Sequence, residues 1–281
     1  MTRPVAFITG ASRGIGAESA VALAQAGFDL ALSARTLNAG DAQQYLSGTQ
    51  ALPGSLSDTA AAVEAAGGAA LCLRADLLDS RSVIEAANAV LDHFGRVDLL
   101  FNNAVYQGHG NQQAILEVEP EQLQAIYQAN VVAPLLLVKA LLPGMLQRGQ
   151  GTLINMVSHA AFHNPPAPAS AGGWGFAYPS SKAALSRMVG ALRAEHPQAG
   201  LRCFNLEPGF VVTEVMKAAG ITDKIAAKFK PCSPAAIAVV VAWLASNDPP
   251  DNWEMADLVR GPLAARHLNA LQTPSFLHSG D

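Results

Sequence analysis

The sequence predicts a doubly wound α/β fold, in which helices cover both faces of a parallel sheet. Short apolar runs alternate with longer Ala- and Leu-rich stretches whose apolar residues recur at helical spacing. The first run leads through a glycine-rich turn directly into the first helical stretch. Of the 281 residues, 50% are apolar, enough for a large buried core. Because no repeat or low-complexity linker interrupts this pattern, residues 1–281 are predicted to form a single domain.

The individual elements follow from the period of the apolar residues. Near-continuous apolar runs are typical of parallel strands buried on both faces, whereas a recurrence every three to four positions predicts helices. The predicted strands are residues 5–9, 29–34, 70–74, 97–102, 151–157 and 201–206. The predicted helices are residues 15–26, 58–66, 82–93, 120–129, 131–147, 181–195 and 235–246. Ser57 is the predicted N-cap of the second helix, and Ser233 with Pro234 begins the last.

Composition and charge argue against several classes of protein. Asp and Glu outnumber Lys and Arg by 22 to 18, which disfavours a polyanionic partner such as nucleic acid. The 3 cysteines lie far apart without CxxC spacing, so we expect neither a disulfide framework nor structural zinc. The N-terminus lacks the apolar stretch of a signal peptide. The longest apolar run, residues 131–146, is shorter than the roughly 20 residues that span a bilayer. We therefore expect a cytoplasmic protein without membrane contact.

A phosphate-binding turn is predicted between the first strand and the first helix. Its residues are Gly10, Ser12, Arg13, Gly14, Ile15 and Gly16. Glycines permit a tight turn and close backbone approach, while the helix N-terminus attracts the negative charge of a pyrophosphate. The position of this turn at a strand-to-helix junction supports a dinucleotide site more strongly than the glycine pattern alone.

The three residues between the first two glycines are typical of the short-chain dehydrogenase/reductase family, which this sequence resembles over about its first 215 residues. Further landmarks of that family follow in order, and several landmarks in sequence are more specific than any one alone. They are Asp76, Asn102-Asn103-Ala104, Asn130, Ser158, Tyr178-x-x-x-Lys182 and Pro208-Gly209. The resemblance implies a Rossmann-type fold and a nicotinamide cofactor.

The residues at the end of the second strand favour NADP(H) over NAD(H). In NAD-binding relatives an acidic residue at this position binds the ribose 2′-hydroxyl, but here Ala34 is followed by Arg35. A guanidinium can bind a 2′-phosphate through charge-assisted hydrogen bonds, whereas a carboxylate would repel it. Arg13, in the glycine turn, is expected to reach the same phosphate. The alternative, two solvated surface arginines, would leave NAD(H) as the cofactor.

The resemblance implies further cofactor contacts. Asp76 and Leu77 are similar to the pair that contacts adenine, although Asp76 could equally cap backbone N–H groups in a loop. Asn102 resembles the residue beside the adenine ribose, with Ala104 after it. Pro208, Gly209 and Thr213 resemble the segment that cradles the nicotinamide and its carboxamide.

A catalytic group is predicted around Tyr178 and Lys182, which are four residues apart and share one helix face. A neighbouring ammonium is expected to lower the pKa of the tyrosine phenol, which suits general acid–base catalysis. By resemblance, Lys182 also holds the nicotinamide ribose and Ser158 donates a hydrogen bond to the substrate oxygen. Asn130 is similar to the asparagine that supports a water-linked proton path to the lysine.

Several segments depart from the family pattern. The loops at residues 159–177 and 210–232 are predicted to border the active site, and a second expansion covers residues 36–55. Beyond residue 246 the resemblance fades, and residues 253–259 are the only candidate for the family's last strand. Candidate substrate-side residues are Tyr106, Gln107, Trp174, Phe176, Phe210 and Met216. Glu207 is either a pocket acid or a surface charge. No metal site is predicted, since His159 and His163, although four residues apart, have no acidic third ligand nearby.

The prediction that accounts for these observations is an NADP(H)-dependent oxidoreductase that interconverts a small-molecule carbonyl and an alcohol. Two alternatives remain: an NAD(H)-dependent alcohol dehydrogenase of the same family, and a non-catalytic dinucleotide-binding sensor or scaffold. The helix at residues 131–147 is apolar around much of its circumference, which favours burial against both the sheet and a partner subunit. We therefore expect a homodimer or homotetramer.

Overall fold

The computed structural model describes residues 2–45, 48–218, 220, 231–250, 254–255 and 258–277. The strands of its main sheet are β1 (Val5–Thr9), β2 (Asp29–Ala34), β5 (Ala70–Arg74), β6 (Leu99–Asn102), β7 (Gly151–Met156), β8 (Leu201–Glu207), β9 (Glu254–Met255) and β10 (Leu258–Arg260). These eight strands lie in the order β5-β2-β1-β6-β7-β8-β10-β9, and all pair in parallel except the edge strand β9. This arrangement confirms the predicted doubly wound fold.

Helices cover both faces of the sheet. They are α1 (Gly14–Gln25), α2 (Leu56–Ala65), α3 (Ser80–Phe94), α4 (Pro120–Tyr127), α5 (Ala133–Arg148), α6 (Ala177–Glu195), α7 (Glu214–Ala218), α8 (Pro234–Leu244) and α9 (Gly261–His267). The alternation of side chains along β1 divides the core in two. Ile8 packs with residues of α1, α2, α8 and α9 on one face, and Phe7 packs with residues of α3, α5 and α6 on the other.

The second helix begins two residues earlier than the sequence predicts. Its N-cap is Ser55, whose Oγ accepts a hydrogen bond from the backbone N–H of Asp58 at 3.1 Å. Ser57, the predicted cap, lies inside the first turn and donates its hydroxyl to the carbonyl of Leu37 at 2.6 Å. Both serines have the right chemistry for a cap, and the packing of Leu56, which is fully buried, decides between them.

The two helices predicted at residues 120–129 and 131–147 form one continuous helix. A π-helical segment, Gln128–Val132, joins α4 to α5. The resulting 29-residue helix is long and apolar enough to cross a membrane, and an 18-residue window of it has a mean hydropathy of 1.8. The exclusion of a membrane-spanning length from residues 131–146 alone is therefore wrong, because the helix already begins at Pro120. In the structure this helix packs on the sheet, with Leu137 and Leu141 buried in the core.

The expansion at residues 36–55 contains a separate hairpin. Its antiparallel strands are β3 (Gln43–Tyr45) and β4 (Gly48–Gln50), and Tyr45 pairs with Gly48. Tyr45 is buried, so the hairpin is attached to the body of the protein through this ring.

The last strand of the sheet is present but shorter than the candidate segment. Strand β10 pairs in parallel with β8 and is followed directly by Gly261, while Trp253 lies outside the described residues. The chain beyond α9 returns to α1, where the buried carboxylate of Glu18 accepts hydrogen bonds from the Ser275 hydroxyl and from the Phe276 N–H.

Candidate active site

A cavity of about 580 Å³ lies beyond the carboxyl ends of β1, β2 and β6. In parallel α/β sheets this edge is where ligands bind. The predicted site residues that line it are Gly10, Ser12, Arg13, Gly14, Ile15, Arg35, Asp76, Leu77, Ala104, Tyr178 and Thr213. The cavity therefore extends from the glycine turn to the tyrosine of the predicted catalytic group.

The glycine turn has a backbone that other residues would strain. Gly10 and Gly14 have φ angles of +69° and +56°. A Cβ added at Gly16 would lie 2.3 Å from the carbonyl oxygen of Gly10 and 2.6 Å from Nδ2 of Asn103. The turn consequently approaches the start of α1 closely, and it presents free N–H groups there, as pyrophosphate binding requires.

The two predicted cofactor-selecting arginines, Arg13 and Arg35, both contact Tyr45 in the lining of the cavity. Arg35 places its guanidinium carbon 5.6 Å from the centre of the Tyr45 ring, and Arg13 donates from Nη1 to the Tyr45 hydroxyl at 3.0 Å. In the described part of the chain, neither arginine forms a salt bridge. The two guanidinium groups therefore give this end of the cavity a positive charge that no ion pair among the described residues neutralises.

Arg13 is more constrained than the sequence suggests. Its Nε donates to the carbonyl of Pro53 at 2.9 Å, and its Nη2 donates to the carbonyl of Gly54 at 2.7 Å. Longer contacts of 3.4 Å join Nη2 to Leu52 and Thr36. The loop before α2 therefore occupies most of the N–H donors of Arg13. Arg13 is not a solvated surface cation, and only part of its guanidinium remains to bind a phosphate.

Tyr178 stands at the start of α6, and its hydroxyl is near enough to that of Ser158 for Ser158 to influence its pKa. Loss of water contact raises the pKa of Tyr178, the Ser158 hydroxyl lowers it, and the nearby Glu207 carboxylate raises it further. The net pKa shift is upward. The expected lowering by Lys182 is therefore wrong for this structure, and Tyr178 is a neutral phenol at physiological pH.

Lys182 lies one turn further along α6 and is almost fully buried. Its Nζ donates to the carbonyl oxygen of Met156, at the end of β7, at a distance of 2.7 Å. Burial lowers the pKa of Lys182 to about 7. The amine is directed at the main chain of β7, and its removal from water is the cause of the lowered pKa.

Asn130 lies in the π-helical segment and fixes the loop after β6 to α6. Its Oδ1 accepts from the N–H of Tyr106 at 2.9 Å, and its Nδ2 donates to the hydroxyl of Ser181 at 3.0 Å. Pro134, four residues later, has no N–H to donate to the Asn130 carbonyl. The N–H four residues on is therefore missing, and the hydrogen bonds of the π-helical segment run instead to the fifth residue, as from the Ala133 N–H to the Gln128 carbonyl.

Asn103, and not the predicted Asn102, lines the cavity. Asn102, predicted beside the adenine ribose, is buried inside the sheet and donates from Nδ2 to Oδ1 of Asn155 at 2.9 Å. Asn103 lines the cavity instead and donates to the carbonyls of Thr9 and Gly10. The alternation of side chains along β6 places the two residues on different sides.

Asp76 and Glu207 both cap backbone N–H groups. Asp76 lines the cavity, and its Oδ1 also accepts from the N–H of Leu78 at 3.0 Å, so both roles considered for it are compatible. Glu207 is buried rather than on the surface, and its Oε1 accepts from the N–H of Gly209 at 2.7 Å. Pro208 and Gly209 thus form a turn held by Glu207, and neither residue is in the described lining of the cavity.

The loop at residues 159–177 contributes less to the cavity than predicted. Trp174 and Phe176 are absent from the described lining: Trp174 packs its ring edgewise 6.4 Å from that of His159, and Phe176 is 47% exposed. His159 and His163 stack on each other at 3.7 Å. Of the loop at residues 210–232, Met216 lines the cavity, Phe210 does not, and residues 221–230 lie outside the described ones.

Sequence reasoning missed the contribution of the hairpin. Gln44 and Tyr45 line the cavity, together with Tyr106 and Gln107, which were predicted on the substrate side. The signal available in the sequence was an aromatic residue within a polar expansion next to the second strand. Across the residues that the structure describes, no group of three or more His, Cys, Asp or Glu is placed to hold a metal ion.

Comparison with known proteins agrees with this geometry. The family model for short chain dehydrogenase matches residues 4–224, and the chain belongs to that family. The short chain dehydrogenase mpl6 of Monascus purpureus is 32% identical over 262 residues, covering 90% of this chain and 82% of that protein. The protein is therefore an oxidoreductase of a family that uses nicotinamide dinucleotides.

Solved structures with both cofactors resemble the chain. A metagenomic short-chain oxidoreductase in complex with NADP is 29% identical with a TM-score of 0.68, and the match covers 92% of this chain and 96% of that one. A short chain dehydrogenase from Mycobacterium paratuberculosis bound to NAD is 25% identical with a TM-score of 0.70, and the match covers 92% and 95%. The choice between the two cofactors thus depends on the residues of this chain.

Proposed function

We propose that the protein is an NADP(H)-dependent oxidoreductase that interconverts a small-molecule carbonyl and an alcohol, with Tyr178 as general acid and base. The observation that carries this proposal is the placement of Tyr178 on the cavity lining with the Ser158 hydroxyl beside it, near enough to lower the pKa of the phenol. Two hydroxyls at one point can both hydrogen-bond a substrate oxygen, and one of them can transfer its proton.

The residues of the cavity fit a nicotinamide dinucleotide. The backbone N–H groups at Gly14 and Ile15 would hold the pyrophosphate, and Asp76 and Leu77 would border the adenine. Thr213 would border the nicotinamide, with the turn at Pro208 and Gly209 behind it. When bound, the nicotinamide supplies or accepts the hydride.

Tyr178 is suited to proton donation in the direction of reduction. Its pKa is raised, so the phenol carries its proton at neutral pH and can give it to the carbonyl oxygen. Ser158 stabilises the charge that develops on that oxygen by donating a hydrogen bond. Lys182 and Asn130 complete the arrangement as the groups through which the phenol regains a proton.

The preference for NADP(H) rests on charge. Arg13 and Arg35 stand at the end of β2 without an acidic partner among the described residues, and Ala34 replaces the acid that would bind a 2′-hydroxyl. Two unbalanced guanidinium groups in a partly enclosed site attract an anion such as a 2′-phosphate.

We further propose a homodimer or homotetramer in the cytoplasm. Val132 and Leu135, on the helix that spans α4 and α5, are 37% and 45% exposed, and burial against a second subunit would remove these side chains from water. Among the described residues, Cys72 and Cys232 are free thiols, as a reducing compartment favours. Analytical ultracentrifugation tests the oligomer, since a monomer at micromolar concentration would contradict it.

The proposed activity is tested by mixing purified protein with NADPH and a panel of aldehydes and ketones, while the absorbance of the reduced nicotinamide is followed. We expect enzyme-dependent loss of that absorbance with at least one carbonyl compound, and a faster reaction with NADPH than with NADH. Tight NADPH binding without turnover of any carbonyl or alcohol would instead support the non-catalytic sensor or scaffold.

A further inference from the structure

The inserted hairpin brings a third polar group to the end of the cavity where Arg13 and Arg35 meet. Tyr45 is 4% exposed, yet both its hydroxyl and its ring contact these arginines. The hydroxyl accepts a hydrogen bond from Arg13, and no acceptor for its own proton is present in the part of the chain that the structure describes. This O–H is therefore a spare donor at the border of the cavity.

The loop that follows the hairpin fixes the position of Arg13 and, through it, of Tyr45. Gly54 has a φ angle of +87°, and a Cβ there would lie 2.5 Å from the carbonyl oxygen of Ser12. The loop thus lies directly against the glycine turn. The carbonyls of Pro53 and Gly54 take two edges of the Arg13 guanidinium, which leaves the Nη1 edge for Tyr45.

Arg35 is held less firmly on the other side of the ring. Its hydrogen bond to a backbone carbonyl runs from Nη2 to Gln44 at 3.2 Å, and its guanidinium lies over the Tyr45 ring. The remaining N–H groups of Arg35 can turn toward an anion while the aromatic contact is kept.

We propose that the Tyr45 hydroxyl is a direct ligand of the 2′-phosphate of NADP(H), positioned by Arg13 and placed beside Arg35 by the inserted hairpin. The proposal rests on the proposed function, since it names a residue that selects the cofactor. Tyr45 supplies a neutral donor, Arg35 supplies charge, and Arg13 orients the phenol with most of its own donors already engaged. The hairpin is then a specificity element of this chain.

The test is direct binding of NADPH and NADH to the wild type and to Tyr45→Phe, measured by isothermal titration. Phenylalanine keeps the ring under Arg35 and removes only the hydroxyl. We expect the Kd for NADPH to rise about tenfold or more, as for loss of one hydrogen bond to a charged group, and the Kd for NADH to stay within about twofold. Tyr127→Phe, on α4 outside the described lining of the cavity, is the matched control and should change neither constant.

Equal changes for both cofactors, or no change for either, would overturn the role of Tyr45 while leaving the proposed function intact. A wild type without preference for NADPH would instead overturn the cofactor assignment itself. If Tyr45→Phe does not fold, the proposal is tested by fluorine NMR on the wild-type protein labelled with 3-fluorotyrosine. The fluorine resonance of Tyr45, assigned by eliminating the other tyrosines, should shift with adenosine 2′,5′-bisphosphate but not with adenosine 5′-monophosphate. No difference between these ligands would overturn the proposal.

Discussion

Lys182 on α6 donates a 2.7 Å hydrogen bond from Nζ to the carbonyl oxygen of Met156 at the end of β7. This contact ties the helix that carries Tyr178 to the strand that leads to Ser158, so the two hydroxyls are held at one point. It also leaves an amine 2% exposed with burial as the dominant influence on its pKa. The cost of that burial is measurable through the pH dependence of stability.

The stability of the cofactor-free protein should rise with pH above neutrality because of Lys182. The pKa of Lys182 is about 7 in the folded chain and 10.5 as its ordinary value, so between these values the unfolded chain binds the extra proton. The free energy of unfolding then rises with pH by up to about 1.4 kcal/mol per unit, and this contribution is smallest below pH 7. Urea unfolding from pH 6 to 9 measures it.

Lys182→Met removes the titrating group and should flatten this part of the profile. Lys139→Met, at an exposed position on α5, is the control and should keep the rise seen in the wild type. If Lys182→Met followed the same pH profile as the wild type, the buried amine would not be the source of the effect.

Tyr178→Phe should bind NADPH with an unchanged Kd and lose carbonyl reduction by about 10²- to 10⁴-fold, the range for loss of a general acid. The ring and its packing remain, and only the proton donor is removed. Stopped-flow measurement of hydride transfer separates this loss from slow product release. Residual turnover close to that of the wild type would assign the proton to another group.

Arg35→Ala should weaken NADPH binding about tenfold or more and leave NADH binding nearly unchanged, since a charge-assisted contact to the 2′-phosphate is lost. Arg13→Ala should have the same selective effect and should also lower Tm, because its bonds to Pro53, Gly54 and Tyr45 hold the inserted segment. Fluorescence titration and thermal unfolding measure the two effects. Arg74→Ala, exposed on β5, serves as the control; parallel losses for both cofactors would exclude 2′-phosphate recognition.

Gly16→Ala should weaken NADPH and NADH binding to the same extent. The new Cβ would lie 2.3 Å from the Gly10 carbonyl oxygen, so the glycine turn must move away from the start of α1. Gly144→Ala is a matched control inside α5, where the added Cβ meets the flexible end of Arg148. An unchanged Kd for Gly16→Ala would mean that the turn does not hold the pyrophosphate.

The strands and most helices could be predicted because their residues carry the signal themselves. Strands buried on both faces, such as β1, are uninterrupted apolar runs, and helices such as α3 repeat apolar residues at their own period. The continuous helix from α4 to α5 could not be predicted, since the π-helical segment at Gln128–Val132 has no distinct residue pattern.

The site was predictable where one motif supplies the contacts and unpredictable where distant segments meet. Tyr178 and Ser158 lie together as expected, but the pKa shift of Tyr178 depends on burial and on Glu207, which no local pattern reveals. The engagement of Arg13 by the loop before α2 depends on a contact across about forty residues. Asn102 was predicted beside the cofactor, but Asn103 lines the cavity instead. Successive side chains of a strand point to opposite faces, so an error of one residue at the strand end reverses the predicted direction.

The central claim is that this cavity selects NADPH. The most direct measurement is titration of the wild-type protein with NADPH and with NADH, followed by quenching of the fluorescence of its 3 tryptophans. The account predicts a Kd for NADPH at least about tenfold below that for NADH, the effect of one charge-assisted contact. Equal constants, or tighter binding of NADH, would contradict it.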